Sequence, residues 1–452
     1  MKNQSDYIKI FDIETPYLAK EEKVVLDKLV DAAKLVSKVY AKQIQEGFYP
    51  ADATRKEIEK AASGNPDILS PFTFVGRDEK GGLVAIPYHQ KYHDLIVPVA
   101  RKLNEAAESA VLPRDFQQAL VIQAKALLSG EYHKAQMAWM KIKPYSLDIV
   151  IGPIERNEDN LFFTKRSYEA WVGILSKDVS ERISLLKDTV FSARRQILVS
   201  EKVDFMDKVQ FRAERVAVFA GMIANYSYTA TTLPNDIDLL EKYGSETWIF
   251  LPSIRENFKN CQYPVFNAIF APFFKNSFTK DTLHRGYLLI ASFHEIARVL
   301  IRYRFAVDRM KEFYPVFNDA AVEALGVKMA GMLLLKDAIS QKEMEAILVM
   351  FLIRLFDGFL EPEEKKIGFG PLILGNTILM NSLISSGALK ITREGISWPN
   401  FTKMFIAVSN IADTLEKILA EGTYKDAQDY MNKHSSTAVF KHFIPSLKTL
   451  RC

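Results

Sequence analysis

SFHEIARVL, residues 292–300, lies within a tract from about 264 to 430 whose apolar residues recur with helical periodicity almost throughout. Interruptions are expected at 312–318, 357–371 and 386–400. On a helix, His294 and Arg298 leave the same face one turn apart, with Glu295 beside the first. Downstream, EAILVMFLIRLF (345–356) reads as a packed core helix, and the uncharged run 367–389 as a buried helix with its turn. That run is long enough to span a bilayer, but Pro371 and its asparagines, serines and glycines make it a poor membrane segment. GFGPLILG (368–375), which superficially looks like a phosphate loop, reads as the turn that starts this helix.

Upstream, residues 20–46 repeat apolar positions at three and four with Glu and Lys between them, an amphipathic helix. Asp52-x-Thr54 has the form of a cap before a short helix, and FTFV and LVAIPY around Asp-Glu-Lys-Gly-Gly read as a hairpin. Helix returns over 94–142. Two short runs closed by proline, LDIVIGP (147–153) and ETWIFLPS (246–253), carry strand character. The fold class is therefore mainly α with a smaller α+β part, and no internal repeat points to a solenoid.

The chain has 452 residues, with 59 basic against 55 acidic side chains. An excess of +4 over that length gives no electrostatic case for nucleic acid or an anionic membrane as partner. Two cysteines, Cys261 and Cys452, are too few for a disulfide scaffold or a thiolate zinc site, so a reducing compartment is the default. The first residues, MKNQSDYIKIFDIETPYL, hold no apolar run of signal-peptide length, and a cytoplasmic location is expected.

No Gly-x-Ser-x-Gly elbow, Walker loop or Cys-x-x-Cys pair occurs. His-Glu on a helix is half of a metal-binding pattern. In His-Glu-x-x-His, two imidazoles one turn apart hold zinc and the Glu takes a proton from metal-bound water. Here Arg298 stands at the second histidine position, and a guanidinium has no lone pair to give. His89 and His93 are also four apart but begin just after a proline and lack a nearby third ligand.

The segments DIVIGPIERNEDNLFFTKRSYEAWV (148–172), TLPNDIDLLEKYGSETWIFLPSI (232–254), SFHEIARVL (292–300) and YPVFNDAAVEALGVKMAGMLLL (314–335) occur in that order. So do the segments they resemble in the dipeptidyl peptidase III family of zinc metallopeptidases, its shorter bacterial branch in particular. FYPADATRKEIEKAA (48–62) and NSLISSGALKI (381–391) extend the resemblance over most of the chain.

The resemblance implies two lobes about a central cleft. One is a smaller α+β lobe over 1–160, joined by about 228–265; the other, over 161–452, is mainly helical and carries the HExxR and NDAAVE segments. His294 matches the family's first zinc histidine and Glu295 its general base, while Arg298 replaces the second histidine. Asp319 stands at the metal-ligand Glu, shortened by a methylene; a shifted alignment puts Glu323 there instead. Asp148, Glu155 and Asn235 fall at substrate-binding positions, Asp148 where the family holds a peptide amine. Thr232 and Val150 depart from the usual Asn and Tyr, and no histidine between 294 and 434 matches the family's later one.

The expected function is thus a peptide- or partner-binding protein whose zinc site has decayed, with zinc weakly bound or absent and Arg298 supplying the lost positive charge. The alternatives are an active dipeptidyl peptidase with an altered ligand set and a scaffold without peptide affinity. Oligomeric state is open.

Overall fold

The computed structural model describes residues 7–15, 17–156, 158–159, 161–194, 208–234, 237–301, 303, 305–360, 370–397, 400–443, 447 and 450. Asn235 and Cys452 lie outside them. The chain divides into two compact units: residues 1–177 with 213–228, and residues 178–212 with 229–452.

In the first unit, helix α1 (Lys20–Glu46) buries Val25, Leu26, Leu29, Ala32, Ala33, Val36, Val39 and Tyr40, the stripe that its three-and-four spacing predicts. It packs on α2 (His93–Ala107), which in turn packs on α3 (Arg114–Ser129). Thr54 caps the short helix Arg55–Gly64 by accepting from the Glu57 amide, as the Asp-x-Thr pattern suggests. The strand β1 (Ile8–Ile10) comes first in the chain, and β2 (Thr73–Arg77) and β3 (Leu83–Pro87) form the expected antiparallel hairpin.

The strand read at 147–153 is present as β4 (Leu147–Glu155), and it pairs antiparallel with β5 (Ser167–Leu175). Beyond β5 lies β6 (Val209–Gly221), whose residues 214–221 pair with β5 and whose other edge takes β1. Sequence periodicity missed β5 and β6. Eight of the nine β5 residues are buried, so the polar alternation of a half-exposed strand is gone and the run reads like any apolar segment.

The second unit holds the antiparallel pair β7 (Ala230–Leu233) and β8 (Ser245–Phe250). The strand expected over 246–253 ends at Phe250, because Pro252 sits in the first turn of a helix starting at Leu251. Five long helices follow: α4 (Lys280–Leu300), α5 (Tyr314–Leu334), α6 (Gln341–Arg354), α7 (Gly370–Ser385) and α8 (Phe401–Glu421). The break expected at 312–318 closes at Phe313, since Pro315 is tolerated in the opening turn of α5.

Helix α5 is buried on every side, against α4, α7 and α8, and α6 buries every residue from Ala346 to Ile353. A helix apolar all round belongs at the centre of a core, which is where the 345–356 run was expected. The turn after α7 leads into the hairpin β9 (Lys390–Thr392) and β10 (Gly395–Ser397). No described helix is long and apolar enough to cross a membrane.

Candidate functional site

Four elements of the second unit bring the sequence's candidate residues together. Helix α4 carries His294, Glu295 and Arg298; α5 carries Asp319 and Glu323, one turn apart; α6 ends in Arg354; and β7 lies beside α4 with Thr232. Helix α4 starts where Thr279 accepts the Thr282 amide, and α6 at a capping box between Ser340 and Glu343. At the far end of α6 the Asn376 amide donates to the carbonyls of Arg354 (3.3 Å) and Asp357 (3.2 Å), fixing the turn from which the guanidinium projects.

Glu323 is the centre of the buried network. Arg354 grips it as a fork, Nε to Oε2 at 3.2 Å and Nη2 to Oε1. His294 Nδ1 lies 2.8 Å from the same Oε1, with Arg354 Nη2 3.3 Å from the ring nitrogen. Glu323 is 2% exposed. Burial alone would raise its carboxyl, but the Arg354 charge, followed by that of His294, outweighs it and holds Glu323 far below the usual carboxylate range.

Glu295 points elsewhere. Its Oε2 accepts from the Thr232 hydroxyl at 2.6 Å, and Thr232 is itself 2.9 Å from the Thr247 hydroxyl. With Thr232 donating to the carboxylate, Thr247 donates to Thr232, and the proton order along the chain is set. Arg298 Nη1 stands 3.7 Å from Glu295 Oε1, its side chain 43% exposed. Burial works to raise the Glu295 carboxyl; Arg298, His294 and Thr232 together bring it below its ordinary value. At Asp319 the balance falls the other way: burial raises its carboxyl more than Arg298 and His294 lower it.

The sequence reading had Arg298 supply the lost positive charge. In the structure the guanidinium on Glu323 is Arg354, because Glu323 faces the end of α6, and Arg298 attends Glu295. Arg354 went unread, yet a signal existed: it is the sole charge between residues 346 and 356. A charge inside a core helix must find a partner.

A catalytic zinc ion normally takes three protein ligands and a water. Both Glu323 oxygens are taken by Arg354, Glu295 is bonded to Thr232, and Arg298 offers no lone pair. Among the described residues no group of three His, Cys, Asp or Glu is placed to hold a metal ion. The residues present do not fit the zinc that the resemblance implied.

The other described candidates, Asp148 and Glu155, belong to the first unit. Asp148 is 1% exposed on β4, opposite Gly173 of β5. Glu155 ends the same strand; Glu169 of β5 is fully buried, and burial, then the Glu155 charge, push the Glu169 carboxyl well above its usual range. Among the described residues strand β4 pairs with a strand on one side only, and its Ile151 carbonyl accepts from Gln123 of α3 at 2.7 Å.

No family model matches the chain. Nudix hydrolase 3 of Arabidopsis thaliana is 23% identical over 432 residues, covering 91% of this chain. The match takes in 53% of that protein, so the chain spans about half the length of this curated relative. Among solved structures, dipeptidyl peptidase III from Caldithrix abyssi superposes with a TM-score of 0.86 at 21% identity, covering 97% of this chain and 95% of that one. Dipeptidyl peptidase III from Corallococcus sp. strain EGB gives a TM-score of 0.77 at 18% identity, covering 98% and 93%. The chain has the dipeptidyl peptidase III fold, mainly α with a smaller α+β part, as the ordered motifs implied.

Proposed function

We propose that this chain, built on the dipeptidyl peptidase III fold, binds peptides and does not hydrolyse them. The observation that carries the reading is the incomplete donor set on α4 and α5. Arg298 occupies the position one turn after His294, and the carboxylate that would serve as base, Glu295, is held by Thr232 and Arg298. Without a third ligand there is no polarised water for Glu295 to deprotonate, and an ionised Glu295 that already accepts a hydroxyl proton is a poor base. Peptide affinity is inferred from the fold, with Asp148 and Glu155 on β4 and Asn235 as the amine- and backbone-binding positions. An ammonium needs a charged acceptor, and an extended peptide can add to a strand edge.

A second reading, an active metal-dependent dipeptidyl peptidase with an altered ligand set, has one observation in its favour: His294 Nε2 makes no hydrogen bond among the described residues. Elemental analysis of purified protein, a dipeptidyl-naphthylamide assay and calorimetric titration with short peptides separate the readings. Metal-free, inactive protein that binds peptide is the expected result. Stoichiometric metal with turnover would establish the second reading, and metal-free protein without peptide affinity would leave only a scaffold.

A further inference from the structure

We infer that Gln123 is a specificity-determining residue of the β4 edge: its amide stands where the N–H of an added strand would, and so limits the length of peptide backbone that β4 accepts. The inference rests on the reading above, in which a peptide pairs along β4. The Ser146 carbonyl accepts from the Leu175 amide at 3.0 Å, so even-numbered residues of β4 turn their backbone groups towards β5. Odd-numbered residues turn theirs outward. Leu147, Ile149 and Ile151 are therefore the positions where an added strand would bond, and Ile151 is the last complete one. Beyond it Gly152 has a φ of +144°, Pro153 has no N–H to give, and the register shifts between Pro153 and Glu155.

Gln123 closes that last position. Its Nε2 donates to the Ile151 carbonyl at 2.7 Å from α3, whereas only β5 and α1 pack closely along β4 among the described elements. A second glutamine of the same unit supplies the contrast. Gln43 of α1 uses both ends of its amide at the start of β5, donating to the Arg166 carbonyl at 3.2 Å and accepting from the Tyr168 amide at 2.8 Å, and it is fully buried. That closure is permanent. Gln123 makes a single bond among the described residues and is half-buried, so its departure leaves one carbonyl for a ligand's N–H to take. Exchanging one neutral amide donor for another changes little in net free energy. A peptide long enough to reach Ile151 therefore displaces Gln123, and a shorter one leaves it in place. Strands rise ~3.3 Å per residue. Ile151 lies three residues from Asp148 and four from Glu155, so a dipeptide whose amine sits at either acid ends short of it.

The test is calorimetric titration of the full chain with the dipeptide Ala-Ser and the hexapeptide Ala-Ser-Ala-Ser-Ala-Ser, both with free amines. It compares wild-type protein with Gln123→Met, which keeps the length of the side chain and removes its donor. The hexapeptide should bind the variant about 2–10-fold more tightly, the net worth of one hydrogen bond, and the dipeptide should bind both proteins equally. In wild-type protein the Gln123 side-chain amide, followed by 15N NMR, should shift on addition of the hexapeptide and stay in place with the dipeptide. That measurement does not depend on how the variant folds. Equal hexapeptide affinities, weaker hexapeptide binding by the variant, an equal gain for the dipeptide, or a Gln123 amide that ignores the hexapeptide would each overturn the inference. In those cases peptide is still bound and the proposed function stands. Binding of neither peptide to either protein would refute the proposed function and the inference together.

Discussion

Glu323 owes its charge first to Arg354 and then to His294. Glu323→Ala would leave Arg354 buried without its partner, and breaking a buried pair in this way costs about 3–5 kcal/mol. The urea unfolding midpoint measures it, and a midpoint equal to wild type would mean that Arg354 finds water. Acid should act on the same residues. Glu295 and Glu323 have folded values below the usual ones, so the stability they contribute is present above an unfolded value of about 4.3 and is lost as pH falls through the folded values. Asp319 has the opposite sign: its folded value is raised, so ionising it costs stability and mild acidification relieves that cost. Stability should therefore hold from neutral to mildly acidic pH and fall below about pH 4. In Glu323→Gln that acid limb should be shallower, and an unchanged slope would remove Glu323 as its cause. Thr232→Val takes the hydroxyl from Glu295 and should cost about 1.5–3 kcal/mol, the usual worth of a hydrogen bond to a charge.

At the level of elements, the site depends on how closely α4 and α6 approach. A Cβ on Gly286 would lie 2.7 Å from the Ala346 carbonyl carbon and 2.8 Å from its Cβ, so two helix backbones are in contact there. Gly286→Ala must push α6 away, with an overpacking cost of about 1–3 kcal/mol. The same shift moves Arg354 relative to His294. Thermal unfolding identical to wild type would show that the helices slide apart freely. Ser340→Ala, which removes the capping box of α6 without touching its packing, should cost about 1 kcal/mol.

For the molecule as a whole, the question is how far it stands from metal chemistry. Arg298→His would place two imidazoles one turn apart on α4, with Asp319 as the remaining carboxylate not gripped by Arg354. Zinc uptake should rise in that variant, measured by elemental analysis after dialysis against a mild chelator. Dipeptide release should stay near background, because Asp319 reaches one methylene less far than a glutamate and misplacement by roughly 1 Å can cost ~100-fold in rate. Robust turnover by the single variant would mean that the rest of the site is intact.

Helices α1, α4 and α6, the 73–87 hairpin and strand β4 were legible in the sequence, because helical period, caps and turn residues act within a few positions of one another. The His294, Glu295 and Arg298 constellation was legible for the same reason, lying within one turn. Strands β5 and β6 were not, since burial on both faces erases the alternation that marks a strand. Nor was the partner of each buried charge. Thr232 reaches Glu295 across 63 positions, and Arg354 reaches Glu323 across 31. The residues themselves dictate that such charges must be paired, because desolvation leaves no alternative. Which pairs form is decided by which helices pack, and that depends on the whole core closing around α5.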